Sequence, residues 1–167
     1  ETDPFPDLGI IVTIPVHNES GLERCLDSLF LCLSHPLRFR TEVLILINAP
    51  DSAPEVVLKQ NLNTLAETRS WIAAHPHPFM DFHVWLDHSF HEKEAGVGLA
   101  RKILMDEAVR RFSAVENPEG IIASLDADVV VDPNYLDVLV EHFSNLKPDG
   151  CSIYFEHPTG PDSTKAV

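Results

Sequence analysis

Ile10-Ile11-Val12-Thr13-Ile14-Pro15-Val16-His17-Asn18-Glu19-Ser20-Gly21-Leu22-Glu23 is the stretch on which the architecture turns. Five successive β-branched residues leave no polar face, so Ile10 to Ile14 reads as a strand buried on both sides and closed by Pro15. Polar residues come next. Ser20 and Glu23 have the spacing of a Ser-x-x-Glu capping box, and Leu22, Cys25, Leu26, Leu29, Phe30 and Leu33 recur at helical intervals behind it. A doubly buried strand leading through a short polar loop into an amphipathic helix is the repeating unit of a parallel sheet.

The same alternation continues outward. Val43 to Ile47 reads as a second strand ended by Asn48-Ala49-Pro50-Asp51, and a long helix then sets Leu58, Leu62, Leu65 and Ile72 along one side. Phe82 to Leu86 is a third strand, and Gly98 to Phe112 a helix with Ala100, Ile103, Leu104, Ala108 and Phe112 inward. Gly120 to Leu125 is a fourth strand. Asp132 followed by Pro133 reads as an N-cap with proline in the first helical position, before the stripe Leu136, Leu139, Val140 and Phe143. Cys151 to Phe155 supplies a fifth strand. The expected fold is therefore α/β, a largely parallel sheet with helices on both faces, which binds ligands beyond the carboxyl ends of its strands.

Composition narrows the function. The 167 residues carry a net charge of −14 and no basic run, so a nucleic-acid backbone is repelled and nucleic acid is not an expected partner. A phosphate-bearing ligand meets the same field unless a cation or a local cluster of donors reverses it. Cys25, Cys32 and Cys151 are odd in number and form no Cys-x-x-Cys pair, which points to reduced, buried thiols in a cytoplasmic protein. The chain is expected in the cytoplasm, free or peripheral at the inner face of a membrane. No apolar run reaches the length of a membrane span. Residues 1–167 read as one domain.

Chemistry concentrates at strand ends. Asp126 and Asp128 are two apart where the fourth strand runs out, so both carboxylates can face one spot, and they repel each other unless a hard cation such as Mn²⁺ or Mg²⁺ joins them. The plainer alternative is that Asp126 ends the strand and Asp128 solvates a turn. Asn18 and Glu19 after the first strand, and Asn48 after the second, offer donors and acceptors suited to a base or ribose, or serve as ordinary turn formers. Gly96-Val97-Gly98 precedes a helix bearing Arg101 and Lys102, where backbone N–H groups and a cation could receive phosphate oxygens. His88, His91, Glu92 and Glu94 raise a zinc site, which a three-residue spacing outside any helical stripe disfavours. Cys25 lies on an apolar helix face, where thiols are inert packing.

In order, these pieces resemble the family 2 glycosyltransferases of the GT-A fold, over about Ile10 to Phe155. Pro15-Val16-His17-Asn18-Glu19 matches the Pro-x-Tyr-Asn-Glu-like motif after the first strand. Glu94-Ala95-Gly96-Val97-Gly98-Leu99-Ala100-Arg101-Lys102 matches an Asn-x-Gly-x-x-x-Ala-Arg-Asn-like motif at Gly96, Ala100 and Arg101. Asp126-Ala127-Asp128 matches the Asp-x-Asp triplet. Where the family has Asp-Asp-Gly-Ser, this chain has Ile47-Asn48-Ala49-Pro50, so Asn48 stands in the base-reading position with a neutral amide.

The resemblance implies a UDP- or GDP-sugar donor near Pro15, His17, Asn18, Glu19, Asn48, Gly96, Arg101, Asp126 and Ala127, with Mn²⁺ or Mg²⁺ on Asp126 and Asp128. It implies inverting transfer to a saccharide, lipid or protein acceptor. Members carry their base and acceptor site well after the Asp-x-Asp triplet, so the acceptor part is expected to be missing here, and Glu156 is a weak candidate for the base beside His157. The competing reading is a non-catalytic nucleotide-sugar-binding or assembly module of the same fold.

Overall fold

A computed structural model describes residues 2–32, 39–92 and 95–156; the expected roles of Leu33, Glu94 and His157 lie outside them. Eight elements follow in strict alternation: β1 (Leu8–Val16), α1 (Leu22–Leu31), β2 (Arg40–Pro50), α2 (Glu55–Ala74), β3 (Met80–Phe90), α3 (Val97–Ala114), β4 (Ile121–Ser124) and α4 (Tyr135–Leu146). The sheet has the order β3-β2-β1-β4, and all its pairings are parallel.

Every residue of β1 is buried, as its unbroken apolar run requires. Ile10, Val12, Ile14 and Val16 meet one core with Leu22, Cys25, Leu26 and Leu29 of α1, Leu65 and Trp71 of α2, and Leu136 and Leu139 of α4. Leu8 and Ile11 meet the other, with Leu44 and Leu46 of β2 and Ala100, Leu104, Ala108 and Phe112 of α3. Helices thus cover both faces, as expected. The chain steps outward from β1 to β2 and β3, then returns along α3 to the far side of β1. Strand order therefore reverses between β1 and β4, the switch point at which α/β sheets of this kind bind ligands in a crevice beyond the carboxyl ends of their strands.

Pro15 does not close β1, which pairs with β2 as far as Val16. Residues of a parallel strand face its two neighbours alternately, and Thr13 O accepts the Leu125 N–H at 3.0 Å, so Pro15 also faces the β4 side. The ladder to β4 has already ended at Thr13 and Ser124, so no bond is lost to the missing N–H.

Four further expectations need correction. Cys151 to Phe155 is exposed and outside the sheet, which ends at β4; its strand-forming residues find no neighbouring edge to supply hydrogen bonds. The capping box does not form, because α1 takes Gly21 as N-cap and shifts the frame by one residue; Glu19 Oε1 instead accepts the Gly21 N–H at 2.6 Å. Helix α4 begins after Asn134, and the Asp132 carbonyl accepts the Tyr135 N–H in a turn, so Pro133 precedes the helix. On α2, Leu62 is 53% exposed, and the buried stripe is Asn61, Thr64, Leu65, Thr68 and Trp71.

At the opposite end of the sheet, Arg111 of α3 and Glu42 of β2 form a buried ion pair in which Arg111 Nη2 donates to Glu42 Oε1 at 2.9 Å. Phe5 N donates to the same carboxylate at 3.3 Å and Arg111 Nη1 to the Thr2 carbonyl at 3.2 Å, which ties down the N-terminal segment. Removing one partner strands the other charge away from water. Arg111→Ala is expected to cost about 3–5 kcal/mol of unfolding free energy in a urea titration, and the joint replacement Glu42→Met with Arg111→Leu far less. Equal losses for the two proteins would contradict that account.

Candidate functional site

The loop after β1, the end of β2, the start of α3 and the turn after β4 all lie at the carboxyl edge, around the switch point. Residue Asn18 takes φ 51°, a left-handed conformation that asparagine tolerates, and this turns its N–H toward α2. Asn61 Oδ1 accepts that N–H at 2.9 Å, and Thr64 Oγ1 donates to the Glu19 carbonyl at 2.6 Å. Two polar side chains of α2 therefore hold the loop that carries His17, Asn18 and Glu19. His17 and Asn18 are exposed, whereas Pro15 is buried within β1.

Asn48 is 1% exposed. Its carbonyl accepts from His17 Nδ1 at 2.9 Å and from Asn61 Nδ2 at 3.1 Å, yet its side-chain amide nitrogen and oxygen find no partner among the described residues. A buried amide without partners forfeits on the order of 1–3 kcal/mol. A ligand offering one donor and one acceptor side by side, as a nucleobase edge does, would recover it.

Beyond β4, side chains alternate sharply: Leu125 and Ala127 are buried against the α1 face, whereas Asp126 and Asp128 are exposed. Ala127 therefore packs in the core instead of lining the crevice. Arg101, from the first turns of α3, forms an ion pair with the Asp126 carboxylate. Lys102 pairs instead with Asp106 along the helix. Gly96 is the N-cap of α3, and a Cβ at Gly96 or Gly98 would meet nothing within 4 Å, so the helix start is open to a ligand.

Among the described residues no group of three or more His, Cys, Asp or Glu side chains could hold a metal ion. Asp126 and Asp128 nevertheless fit Mn²⁺ or Mg²⁺ of the kind that takes one or two carboxylates and completes its shell with substrate phosphates and water. In this structure the positive group that Asp126 meets is the Arg101 guanidinium. Of the residues weighed for zinc, His91 pairs with Asp51 at 3.5 Å, and His88 Nε2 lies 3.2 Å from Asn61 Nδ2. Glu156 receives the Tyr154 hydroxyl at 2.6 Å on the exposed segment after α4; among the described residues no hydrogen bond or ion pair joins it to the crevice.

His88 of β3 was weighed only as a zinc ligand, and Asn61 and Thr64 of α2 were passed over by motif reading. Their signal was a polar stripe on the helix face that should be buried.

This architecture defines the class: an α/β domain of glycosyltransferase-like fold. Two crystal structures of S. aureus TarS share it, each at 14% sequence identity. For residues 1–349 in complex with UDP-GlcNAc the TM-score is 0.52, and the match covers 89% of this chain and 37% of that one. For a longer TarS chain the TM-score is 0.53, and the coverage is 88% and 23%. The likeness is one of fold, and this chain spans well under half of either TarS chain. No protein-family model and no curated protein sequence matches.

Cys25 sits beneath the crevice, with its Sγ 3.9 Å from the Asp126 carbonyl. Burial first, and the negative charge of Asp128 second, push its thiol up to about 12. Burial raises Cys32 as well, whereas Cys151, expected to be buried, is exposed because its segment lies outside the sheet. Near pH 8 the folded protein should therefore be alkylated by iodoacetamide at Cys151 alone, as read by peptide mass spectrometry. Prompt labelling of Cys25 would show a thiolate that this environment does not support.

Proposed function

We propose that this domain is the nucleotide-sugar-binding part of a metal-dependent, inverting family 2 glycosyltransferase, taking a UDP- or GDP-sugar at the carboxyl edge of the sheet. The observation that carries the reading is the buried, unpartnered Asn48 amide, set beside His17 and on the same sheet edge as the Arg101–Asp126 pair. The fold shared with TarS, whose structure contains UDP-GlcNAc, supports it.

In this reading the Asn48 amide pairs with the base edge, and Asn18 and Asp126 lie near the ribose. The open start of α3 directs N–H groups and Arg101 at the diphosphate, offsetting the field of a chain with net charge −14. Asp126 and Asp128 would hold Mn²⁺ or Mg²⁺, which supplies charge stabilisation for the leaving diphosphate. Transfer further needs an acceptor hydroxyl and a base within about 3 Å of it. Glu156, bonded to Tyr154, has no support here for that role, so the base and the saccharide, lipid or protein acceptor belong to structure outside these residues.

No helix among the described residues is long and apolar enough to cross a membrane. A cytoplasmic setting, free or peripheral at a membrane's inner face, rests on the cysteine pattern alone.

With only two carboxylates available, Mn²⁺ alone should barely move the thermal unfolding midpoint. UDP-GlcNAc or a GDP-sugar with Mn²⁺ should raise stability by about 2.7 kcal/mol at a hundred times the dissociation constant. Asp128→Ala should lose the metal-dependent part of that gain and keep the fold. Equal Mn²⁺ dependence in the variant and the wild type would refute the metal assignment, and no response to any sugar nucleotide would refute the donor site.

A further inference from the structure

Asn61 is fully buried on α2, and both of its amide hydrogens and its amide oxygen have partners. Its Oδ1 accepts the Asn18 N–H at 2.9 Å, which fixes the orientation of the amide. One Nδ2 hydrogen goes to the Asn48 carbonyl at 3.1 Å, a group that can only accept. The second points to His88 Nε2 at 3.2 Å, so this nitrogen must offer its lone pair, and His88 must be neutral with its hydrogen on Nδ1. The Asn48 carbonyl also receives His17 Nδ1 at 2.9 Å, so His17 is tied to the same group. One side chain thus ties together the loop after β1, the end of β2 and the end of β3.

We propose that Asn61 is the positioning residue of the nucleotide site, fixing His17, Asn18 and Asn48 through a hydrogen-bond set that exists only while His88 is neutral. The proposal rests on the nucleotide-sugar reading and adds to it a residue and a pH dependence. Burial is the main influence holding His88 below the ordinary histidine range; Asp87 on its own strand opposes this and His17 on the β1–α1 loop reinforces it. From α2 the facing group is the uncharged Asn61. A depressed histidine contributes its interactions above its unfolded pKa and loses them as pH falls through the folded value. Protonated His88 would set an N–H against the Asn61 amide hydrogens, and the three loops would lose their common anchor.

The test measures UDP-GlcNAc affinity in the presence of Mn²⁺ between about pH 7.5 and about pH 5.5, a range in which histidine titrates and the doubly esterified diphosphate does not. Histidine ¹⁵N spectra of the same proteins report the tautomer of His88 without any ligand. Wild-type affinity should fall by about tenfold toward the acid end, the equivalent of one lost hydrogen-bonded anchor. His88→Gln, which keeps an acceptor at every pH, should lose most of that dependence. Asn61→Asp should bind about tenfold more weakly across the whole range, because its carboxylate has no hydrogen to give the Asn48 carbonyl. His88 carrying its hydrogen on Nε2, or affinities indifferent to both substitutions, would overturn the proposal alone. Wild-type protein that binds no sugar nucleotide, with the His88 tautomer as assigned, would overturn the nucleotide reading and the positioning role with it.

Discussion

Parallel pairing on both flanks of β1 is the constraint from which the rest of the structure follows. A strand whose nine residues are all buried needs a neighbour on each side and a helix layer on each face. Because those neighbours run parallel to it, every strand ends at the same edge, and every helix must cross back over a face to start the next strand. The chain exhausts one side with β2 and β3 before returning to β4. Helices α1, α2 and α4 share one face and α3 alone crosses the other, so the loops after β1 and β4 lie side by side at the carboxyl edge. Pairing with the short β4 ends before Pro15, which therefore leaves no N–H unsatisfied.

A net charge of −14 repels anions, and the groups at the carboxyl edge that can receive one are the open start of α3 and the Arg101 guanidinium. Arg101 is held by Asp126, so the pair is neutral, and either partner becomes available when the other is taken up. An exposed pair of this kind is worth little to stability, and this makes it easy to exchange. The buried Arg111–Glu42 pair at the far end is the opposite case, with both charges away from water and costly to separate.

Strand identity was legible because doubly buried strands carry uninterrupted β-branched and aliphatic runs, and Ile10 to Ile14 and Val43 to Ile47 are such runs. The facing stripe of α3 was legible for the same reason. Cys151 to Phe155 has the same local propensity without a partner edge, and propensity alone does not make a sheet. Helix starts were misread by one or two residues because Ser20 and Asp132 are good caps placed in turns that other contacts decide. The polar stripe of α2 was not legible from apolar spacing: Asn61 and Thr64 are buried because they satisfy backbone groups of the loop after β1, a purpose visible only once α2 lies beside that loop. Of the candidate residues, His17, Asn48, Arg101 and Asp126 meet partners at the carboxyl edge. Ala127 turned inward, since residues beside outward-facing carboxylates in an alternating segment point the other way.

The central claim is that a sugar nucleotide occupies the carboxyl edge with its base against the Asn48 amide and its diphosphate between Arg101 and the Asp126–Asp128 pair. A crystal structure of the protein with UDP-GlcNAc and Mn²⁺ tests this most directly, since the anomalous signal of manganese locates the ion independently of the nucleotide density. The account predicts manganese at about 2.0–2.3 Å from a carboxylate oxygen of Asp126 or Asp128, with the base within hydrogen-bonding distance of the Asn48 side chain. Nucleotide or manganese bound at the opposite edge, beside Phe5 and Glu42, would contradict it.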